Sequence, residues 1–320
     1  MKTIAVLTSG GDAPGMNAAL RAVVRTAISN GLEVIGVKRG YQGLISGDVI
    51  ELNLRSVSDI IHKGGTILYT ARSSEFKTDI GIAKAVQTCK DLEIDGVVVI
   101  GGDGSFRGAS KLSNAGVPCI GIPGTIDNDI ACSEYTIGFD TATNTAMKMA
   151  DQIRDTAQSH DKCSIVEVMG RKCGDIALLT GIAAGATVIL VPEIEFDIKK
   201  DVVERIKMSQ GKGRKHFIVV IAEGVGQSQE IANIIRYETG LDTMITILGH
   251  VQRGGSPTLT DRVYAGEMGN LAVKLLLEGK SNRVVAMKKG RLVDYDINDA
   301  LKMKRKFNFA AYKATMEVSI

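Results

Sequence analysis

Short runs of apolar, largely β-branched residues alternate along this chain with longer segments in which apolar residues recur at helical spacing. Runs that are apolar almost throughout are typical of strands buried on both faces of a parallel sheet. The predicted strands are Ile4–Leu7, Val34–Val37, Gly96–Ile100, Pro118–Ile122, Ser164–Val168, Thr187–Val191, Phe217–Ala222 and Met244–Leu248. The predicted helices include Met16–Ser29, Thr141–Ser159, Lys199–Ser209, Glu230–Thr239 and Asp261–Glu278, with Asp140 and Thr260 as N-caps.

The regular alternation of strands and helices predicts an α/β protein, and a length of 320 residues suggests two domains rather than one. We expect two doubly wound, Rossmann-like domains with mostly parallel sheets. A boundary is expected near Gly138, and the chain is expected to cross between the domains more than once. In an open sheet of this kind, ligands bind outside the carboxyl ends of the strands. The turns that follow the strands are therefore the places to search for chemistry.

Composition narrows the class of protein without identifying it. Hydrophobic residues make up 44% and charged residues 23%, which is ordinary for a globular chain and argues against disorder. The formal net charge of +3 indicates neither nucleic acid nor a membrane as partner. The 5 cysteines form no CxxC pair, so neither a disulfide framework nor a zinc site is predicted. No leader-like segment or long apolar stretch occurs, and a cytoplasmic location is expected.

Glycine-rich turns follow many of the predicted strands. The chain has 36 glycines, which is above average usage. The turns read TSGGDAPG, IGGDGS, GIPGTIDND, VMGRKCG, AEGVG and LGHVQRGGS. In the first turn, Gly10 and Gly11 let backbone N–H groups approach an anion at the start of the following helix. This turn matches neither the dinucleotide fingerprint nor the Walker pattern, and a plain tight turn explains it equally well.

The next two turns contain acidic residues. In Gly101–Ser105, Asp103 can hold Mg²⁺ while the backbone faces phosphates, and Ser105 is a candidate cap for the next helix. In Pro123–Asp129, Asp127 and Asp129 form a candidate acid/base pair. An ordinary Asp-Gly turn is the alternative for the first segment, and an Asx-rich turn is the alternative for the second.

The remaining turns carry basic and polar residues suited to anions and sugars. Arg171 follows a glycine at a strand end and is a candidate clamp for a phosphoryl group. His250 and Arg253 precede paired glycines at another strand end and suggest a second anion site. Glu223 has the same placement and is a candidate acceptor for sugar hydroxyls. The chain also has two basic groups, which solvated faces explain in the absence of other information. The first comprises Arg21, Arg25 and Arg154 on predicted helices, and the second comprises Lys212, Arg214, Lys215 and His216 before a strand.

Taken together and in this order, TSGGDAPGMN, GGDGS, PGTIDND, MGR, AEG and GHVQRGG resemble the bacterial ATP-dependent 6-phosphofructokinase family, over essentially the whole chain. The resemblance implies a glycolytic kinase that transfers the γ-phosphoryl of Mg-ATP to the 1-hydroxyl of fructose 6-phosphate. It also implies a homotetramer with a separate effector site for ADP or phosphoenolpyruvate. The expected domains are 1–138 plus 251–300 for ATP, and 139–250 plus 301–320 for the sugar phosphate and the effector.

The resemblance also assigns roles to residues where the motifs match. The implied catalytic group comprises Asp127 as general base with Thr125, Arg171 and Arg72. The implied ATP positions are Gly11, Arg72, Ser73, Gly102, Asp103, Gly104 and Ser105, with Asp103 serving Mg²⁺. The implied sugar-phosphate positions are Thr125, Ile126, Asp127, Lys162, Met169, Gly170, Arg171, Glu223, Met244, His250 and Arg253. The implied effector positions are Arg21, Arg25, Asp59, Arg154, Gly185, Lys212, Arg214, Lys215 and His216.

Three positions depart from the family's pattern. Lys162 and Met244 stand where the family has arginines for the sugar 6-phosphate, the first of them reaching across a subunit interface. Thr187 stands where a glutamate usually helps to hold the effector's metal. Lysine keeps the charge of arginine but loses its fork, and methionine loses both. Gly104 and Gly124 match ATP-dependent members, since pyrophosphate-dependent relatives tend to have Asp and Lys there.

Two other functions compete with this interpretation. One is a kinase for another ketohexose phosphate, such as tagatose 6-phosphate, which the changes at Lys162 and Met244 allow. The other is a weakly active, nucleotide-sensing subunit of a mixed oligomer. The presence of Asp103, Asp127 and Arg171 argues against the second, because a sensor needs no general base.

Overall fold

The computed structural model describes residues 1–319. The strands are β1 Thr3–Ser9, β2 Glu33–Val37, β3 Val49–Leu52, β4 Gly96–Gly101, β5 Cys119–Pro123, β6 Cys163–Val168, β7 Val188–Leu190, β8 Phe217–Ala222, β9 Thr243–Ile247, β10 Arg283–Lys288 and β11 Arg291–Asp296. The α-helices are α1 Met16–Ser29, α2 Gly40–Ser46, α3 Asp79–Asp91, α4 Asp103–Asn114, α5 Phe139–Ser159, α6 Asp175–Ala183, α7 Glu204–Gly211, α8 Ser228–Thr239, α9 Leu259–Leu277, α10 Ile297–Ala300 and α11 Phe309–Val318. These elements confirm the predicted α/β class.

The larger sheet has seven strands in the order β11-β10-β5-β4-β1-β2-β3. Its central strands are parallel, whereas β3 and β11 pair antiparallel at the two edges. Every residue of β1, β4 and β5 is buried, because helices cover both faces of the sheet. Ala5 and Leu7 of β1 pack in one core cluster with side chains of α2, α3 and α4. On the other side, α1 and α9 contact each other and the central strands.

The smaller sheet has four parallel strands in the order β7-β8-β6-β9. Strand β8 is buried throughout and joins a core cluster that includes Ile206 of α7 and Ile231 and Ile235 of α8. Strand β9 lies at the edge and is different, since Met244 and Ile247 expose their side chains. The sheet therefore has one protected interior and one open edge of apolar side chains.

The chain packs into two compact units. The first contains Met1–Thr141 and Arg253–Arg305 and is built on the seven-stranded sheet. The second contains Ala142–Gln252 and the chain from Lys306 onward and is built on the four-stranded sheet. The chain crosses from one unit to the other three times, after Thr141, Gln252 and Arg305.

Three predicted helix caps are wrong. Helix α5 begins at Phe139, so Asp140 lies inside its first turn. The N-cap of α9 is Thr258 rather than Thr260, and its hydroxyl oxygen accepts the N–H of Asp261. Helix α4 begins at Asp103, which leaves Ser105 inside the helix. Segments with several Asp, Ser and Thr residues offer several candidate caps, and the packing of the helix selects among them.

The predicted helix Lys199–Ser209 is only partly α-helical. Residues Ile198–Val203 form a wider π-helical segment, which leads directly into α7. The side chain of Asp197 accepts the N–H of Lys200 and caps this segment (2.8 Å). Apolar spacing does not distinguish the two helix types over so short a segment.

Candidate functional site

Three of the glycine-rich turns lie side by side in the first unit. Ser9 at the end of β1 pairs with Gly101 at the end of β4, and Gly101 pairs with Pro123 at the end of β5. The turns TSGGDAPG, GGDGS and PGTIDND therefore leave the sheet from three adjacent strands at the same level. This is the edge at which an open α/β sheet binds its ligands.

The turn after β1 is held by a neighbouring loop. Gly10 has a φ of 91°, a left-handed conformation that glycine adopts without strain. Its carbonyl accepts the hydroxyl of Thr70 (2.7 Å). In the same loop, the hydroxyl of Ser73 donates to Gln42 (2.8 Å) and accepts the N–H of Phe76 (3.1 Å). These bonds place the exposed Arg72, which lies between Thr70 and Ser73, beside the turn.

The end of β4 is packed closely against the end of β1, and Tyr41 of α2 contacts the start of α4. A Cβ at Gly101 would lie 2.4 Å from the carbonyl oxygen of Ser9, so a larger residue cannot occupy this position. The buried hydroxyl of Tyr41 donates to the carbonyl of Ser105 (2.6 Å), and burial raises the pKa of Tyr41. Thr70 and Tyr41 are supporting residues that the sequence analysis missed, because nothing in their local sequence marks them.

Asp103 lies in the first turn of α4, where the helix dipole favours negative charge. Its carboxylate accepts a hydrogen bond from Nε of Arg107, which lies one turn later in the helix (2.9 Å). Both side chains are largely solvated, so this ion pair contributes little to stability. Residues 1–319 contain no cluster of three or more His, Cys, Asp or Glu side chains that could hold a metal ion. A single carboxylate fits a Mg²⁺ ion that arrives with nucleotide phosphates and retains its waters.

Asp127 follows β5 and is 1% exposed. Its N–H donates to the hydroxyl of Thr125 (3.2 Å), and the carbonyl of Thr125 accepts the hydroxyl of Thr136 (2.7 Å). Asn128, the next residue, has a φ of 50°. The loop therefore presents a buried carboxylate on a backbone that is hydrogen-bonded on both sides of it, as a positioned general base requires.

Arg253 belongs to the first unit and extends to the turn after β1. Its Nη1 donates to the carbonyl of Asp12 (3.0 Å), and a Cβ at Gly11 would meet the same guanidinium. Glycine at position 11 therefore makes room for the side chain of Arg253. His250 is exposed in the 3-10 turn Gly249–Arg253 of the same motif.

In the second unit, the ends of β6 and β8 form one hydrogen-bonded site. Oε1 of Glu223 accepts the N–H groups of Gly170 (3.2 Å) and Arg171 (2.7 Å), which hold the turn with Arg171 at a φ of 53°. The buried side chain of Gln252 accepts the N–H of Met169 (3.3 Å). Gln252 is a further supporting residue that the sequence analysis missed, although it lies inside the GHVQRGG motif.

Lys162 and Met244 lie at the opposite end of the same sheet. Lys162 precedes β6, and Met244 pairs with Ser164 near the start of β9. Because strands rise about 3.3 Å per residue, the backbone at Met244 and Lys162 lies roughly 17 Å and 23 Å along the sheet from the level of Met169 and Glu223 within one chain. Nζ of Lys162 bonds to Asp242 (2.8 Å) and lies 3.9 Å from the sulfur of Met244.

Several residues with predicted effector roles form a basic group in the second unit. The guanidinium of Arg154 donates to the carbonyls of Ala184 and Gly185. Burial lowers the pKa of Arg214, and the nearby charge of Arg154 adds to this effect. Burial also lowers the pKa of His216, and the charges of Arg214 and Arg154 lower it further. Lys215 pairs loosely with Asp161 (3.9 Å), and Lys212 is exposed just after α7.

The other predicted effector residues belong to the first unit. Arg21 and Arg25 lie one turn apart on α1, and Arg25 lines an open cavity of about 390 Å³. Asp59 is exposed and has a φ of 54°. In the second unit, Thr187 is fully buried, and its hydroxyl has no hydrogen-bond partner in the part of the chain that the structure describes. This side chain faces the interior rather than a surface ligand.

Comparison with known proteins gives full-length matches. The family model described as Phosphofructokinase matches residues 3–276. An ATP-dependent 6-phosphofructokinase of Clostridioides difficile is 55% identical over 320 residues, covering 100% of both chains. Another, of Clostridium novyi, is 56% identical over 312 residues and 98% of both chains.

Solved structures give the same picture. The phosphofructokinase of Saccharomyces cerevisiae matches with a TM-score of 0.90 and 35% identity, covering 100% of this chain and 48% of that longer one. A pyrophosphate-dependent phosphofructokinase of Marinobacter aquaeolei shares the fold, with a TM-score of 0.87 at 22% identity, covering 100% of this chain and 92% of that chain. Within residues 1–319, no helix combines the length and apolarity needed to cross a membrane. The chain belongs to the phosphofructokinase family and is a phosphotransferase.

Proposed function

We propose that this chain is an ATP-dependent 6-phosphofructokinase, which converts fructose 6-phosphate and Mg-ATP to fructose 1,6-bisphosphate and ADP. The observation that carries the proposal is the alignment of Ser9, Gly101 and Pro123 at the ends of three adjacent strands. This alignment gathers two glycine-rich turns, the carboxylate of Asp103 and the buried Asp127 at one sheet edge. The first unit is the ATP-binding domain, and the second unit is the sugar-phosphate and effector domain.

Backbone groups bind the triphosphate in this proposal. The turn containing Gly11 and the run Gly102–Ser105 present N–H groups at the starts of α1 and α4, where helix dipoles favour anions. A Cβ at Gly104 would meet no atom within 4 Å, which leaves open space for phosphates. Arg72 and Ser73 complete the nucleotide site. Asp103 would hold Mg²⁺, which would neutralise phosphate charge when the nucleotide is bound.

Transfer then needs one proton movement and one exchange of P–O bonds. Asp127 accepts the proton of the sugar 1-hydroxyl as the hydroxyl oxygen forms a bond to the γ-phosphorus of ATP. The bond between the γ-phosphorus and the β–γ bridging oxygen breaks at the same time and releases ADP. Thr125 holds the loop, and Arg171 and Arg72 stabilise charge on the transferred group. Burial of Asp127 supports this role, because it limits competition by water.

The sugar phosphate is assigned to Ile126, Met169, Gly170, Glu223, His250 and Arg253. Lys162 and Met244 lie too far along their strands to join Met169 and Glu223 within one chain. We therefore assign them to the site of a neighbouring copy, which requires at least a dimer. A homotetramer in the cytoplasm is the proposed working form.

The effector site is proposed to bind ADP or phosphoenolpyruvate. Arg154, Arg214 and His216 support this assignment, because like charges held together in a partly buried site favour an anionic ligand. Arg21, Arg25, Asp59, Gly185, Lys212 and Lys215 are the remaining proposed effector positions. The buried Thr187 supplies no carboxylate, so an effector that needs a metal ligand at this position should bind weakly.

A kinase for another ketohexose phosphate is the second candidate. It is kept because Lys162 and Met244 stand where the family's resemblance implies arginines and Lys162 pairs with Asp242, so the contacts that bind the sugar phosphate differ from the family's. The test is ADP release by the purified chain with ATP and a series of sugar phosphates, including fructose 6-phosphate and tagatose 6-phosphate. The highest kcat/KM with fructose 6-phosphate supports the proposal. Faster turnover of tagatose 6-phosphate favours the second candidate, and ATP binding without turnover of any sugar phosphate indicates a sensing subunit.

A further inference from the structure

The loop that carries Asp127 continues in a left-handed backbone conformation. Asn128 has a φ of 50°, a value that asparagine adopts more readily than most residues with a side chain. The side-chain oxygen of Asn128 accepts the hydroxyl of Thr136 at 3.4 Å, which is a long hydrogen bond. The peptide after Asp127 has a second restraint, which comes from a distant part of the chain.

Arg305 supplies a restraint on this peptide. Its Nε donates to the carbonyl of Asn128 (3.1 Å) from a position 177 residues later in the chain. Arg305 is half-buried and follows α10, whose Asn298 accepts the hydroxyl of Ser110 on α4 (2.7 Å). The segment from Asn298 to Arg305 therefore contacts both the helix that begins at Asp103 and the loop that carries Asp127.

Arg305 and two acidic residues also line one cavity. A cavity of about 160 Å³ is lined by Arg305 together with Asp103, Asp129 and the apolar residues Ile130 and Met303. Arg305 therefore combines a directional hydrogen bond to the loop with a place on the same cavity wall as Asp103.

We propose that Arg305 is a positioning residue for phosphoryl transfer, which acts through Asn128 to hold the carboxylate of Asp127 in line with the substrate hydroxyl. This inference rests on the proposed kinase function. Arg305 need not touch either substrate. Its loss should reduce the fraction of bound complexes in which the base is aligned, while both substrates still bind.

The test compares Arg305→Ala and Arg305→Lys with the wild-type chain in steady-state ADP release. Misplacement of a reacting group by about 1 Å costs roughly 100-fold in rate, so we expect kcat of Arg305→Ala to fall roughly 10- to 100-fold. KM for ATP should stay within about threefold, because alignment of the base is not part of nucleotide binding. Arg305→Lys keeps the charge and should recover part of kcat, which separates the charge from the fork of donors.

Arg262→Lys and Arg262→Ala are matched controls. Arg262 is half-buried in the same unit, and its Nε also donates to a backbone carbonyl, that of Pro257 (2.8 Å). These controls should retain wild-type kcat, and thermal unfolding should show that all variants are folded at the assay temperature. If folded Arg305→Lys and Arg305→Ala keep wild-type kcat, or if only KM for ATP changes, the inference is wrong. Absence of sugar-phosphate turnover in the wild-type chain would instead overturn the proposed function, and this inference with it.

Discussion

The loop of Asp127 and the edge strand of Met244 have opposite environments. Asp127 is 1% exposed on a loop held by Thr125, Thr136 and Arg305, whereas Met244 is 54% exposed at the edge of the smaller sheet. The resemblance implies that Asp127 keeps the family's residue and that Met244 departs from it. A buried, hydrogen-bonded loop tolerates little change, whereas an exposed side chain can be replaced without affecting the fold. The contrast suggests that the chemistry is fixed by the core and that substrate affinity is set at an adjustable edge.

Replacing the buried carboxylate should have the largest effect. We expect Asp127→Ser to lower kcat roughly 100- to 10,000-fold, the usual contribution of a positioned acid or base, with little change in ATP affinity. Steady-state kinetics and calorimetric titration with an ATP analogue measure the two quantities. Asp299→Ser, which removes an exposed carboxylate from α10, should leave kcat unchanged. A near-normal kcat in Asp127→Ser would refute the assignment of the base.

Changing the exposed edge should instead alter affinity. A charged hydrogen bond to an anion contributes about 1.5–3 kcal/mol, so Met244→Arg should lower KM for fructose 6-phosphate roughly 10- to 100-fold. The KM for ATP should not change, and kcat should change little, because the 6-phosphate is remote from the reacting hydroxyl. Met208→Arg is the matched control, since Met208 is also 54% exposed in the second unit but lies on α7. An unchanged sugar KM in Met244→Arg would show that the 6-phosphate binds elsewhere.

The choice of phosphoryl donor tests the nucleotide side of the comparison. The chain should turn over with ATP and not with pyrophosphate, since Gly104 adds no charge and blocks no space. Gly104→Asp would place a carboxylate among the phosphates and should raise KM for ATP roughly 10- to 100-fold, or about 1.4–2.8 kcal/mol. Gly104→Ala should have little effect, because its Cβ meets open space. Robust turnover with pyrophosphate and none with ATP would contradict the proposed donor.

The smallest expected effect concerns pH and the basic group of the second unit. Burial and two arginine charges lower the pKa of His216, and a bound anion should raise it again. Effector binding then takes up a proton, so affinity should increase as pH falls, by at most about tenfold per pH unit for one proton. Calorimetric titration with ADP and phosphoenolpyruvate in two buffers measures the proton uptake. His216→Gln should remove the proton uptake, whereas His160→Gln, at an exposed histidine, should not. Equal proton uptake in the two variants would exclude His216 as the group that takes up the proton.

The sequence predicted those parts of the fold whose pattern is local. Helix α1 and strand β8 have the predicted bounds, because an amphipathic repeat and a continuous apolar run leave few alternatives. Strand β11 was not assigned, since it is only half-buried and lacks a continuous apolar run, whereas β10 was missed although it contains the buried run Val284–Met287. Three caps were misplaced because several polar residues near each helix start can cap it.

The candidate site was predictable at the strand ends and not in its support. The turns of Gly11, Asp103 and Asp127 stand out in the sequence, because glycines and carboxylates directly follow buried strands. Their supporting bonds from Tyr41, Thr70 and Arg305 join residues 60 to 177 positions apart. No local pattern encodes such contacts, since they depend on the way in which the sheet and the C-terminal segment pack.

The discontinuous first unit has a consequence for how the protein is made. Strand β5 ends at Pro123, and its partner β10 begins at Arg283, 160 residues later (283 − 123 = 160). At a synthesis rate of about 5–20 residues per second, β5 waits roughly 8–32 s on the ribosome before β10 exists. Helix α9, which packs on α1, is also late. During this interval β5 can pair with β4 but leaves its other edge open, and α1 leaves an apolar face uncovered. Open strand edges and exposed apolar faces attract chaperones and promote aggregation.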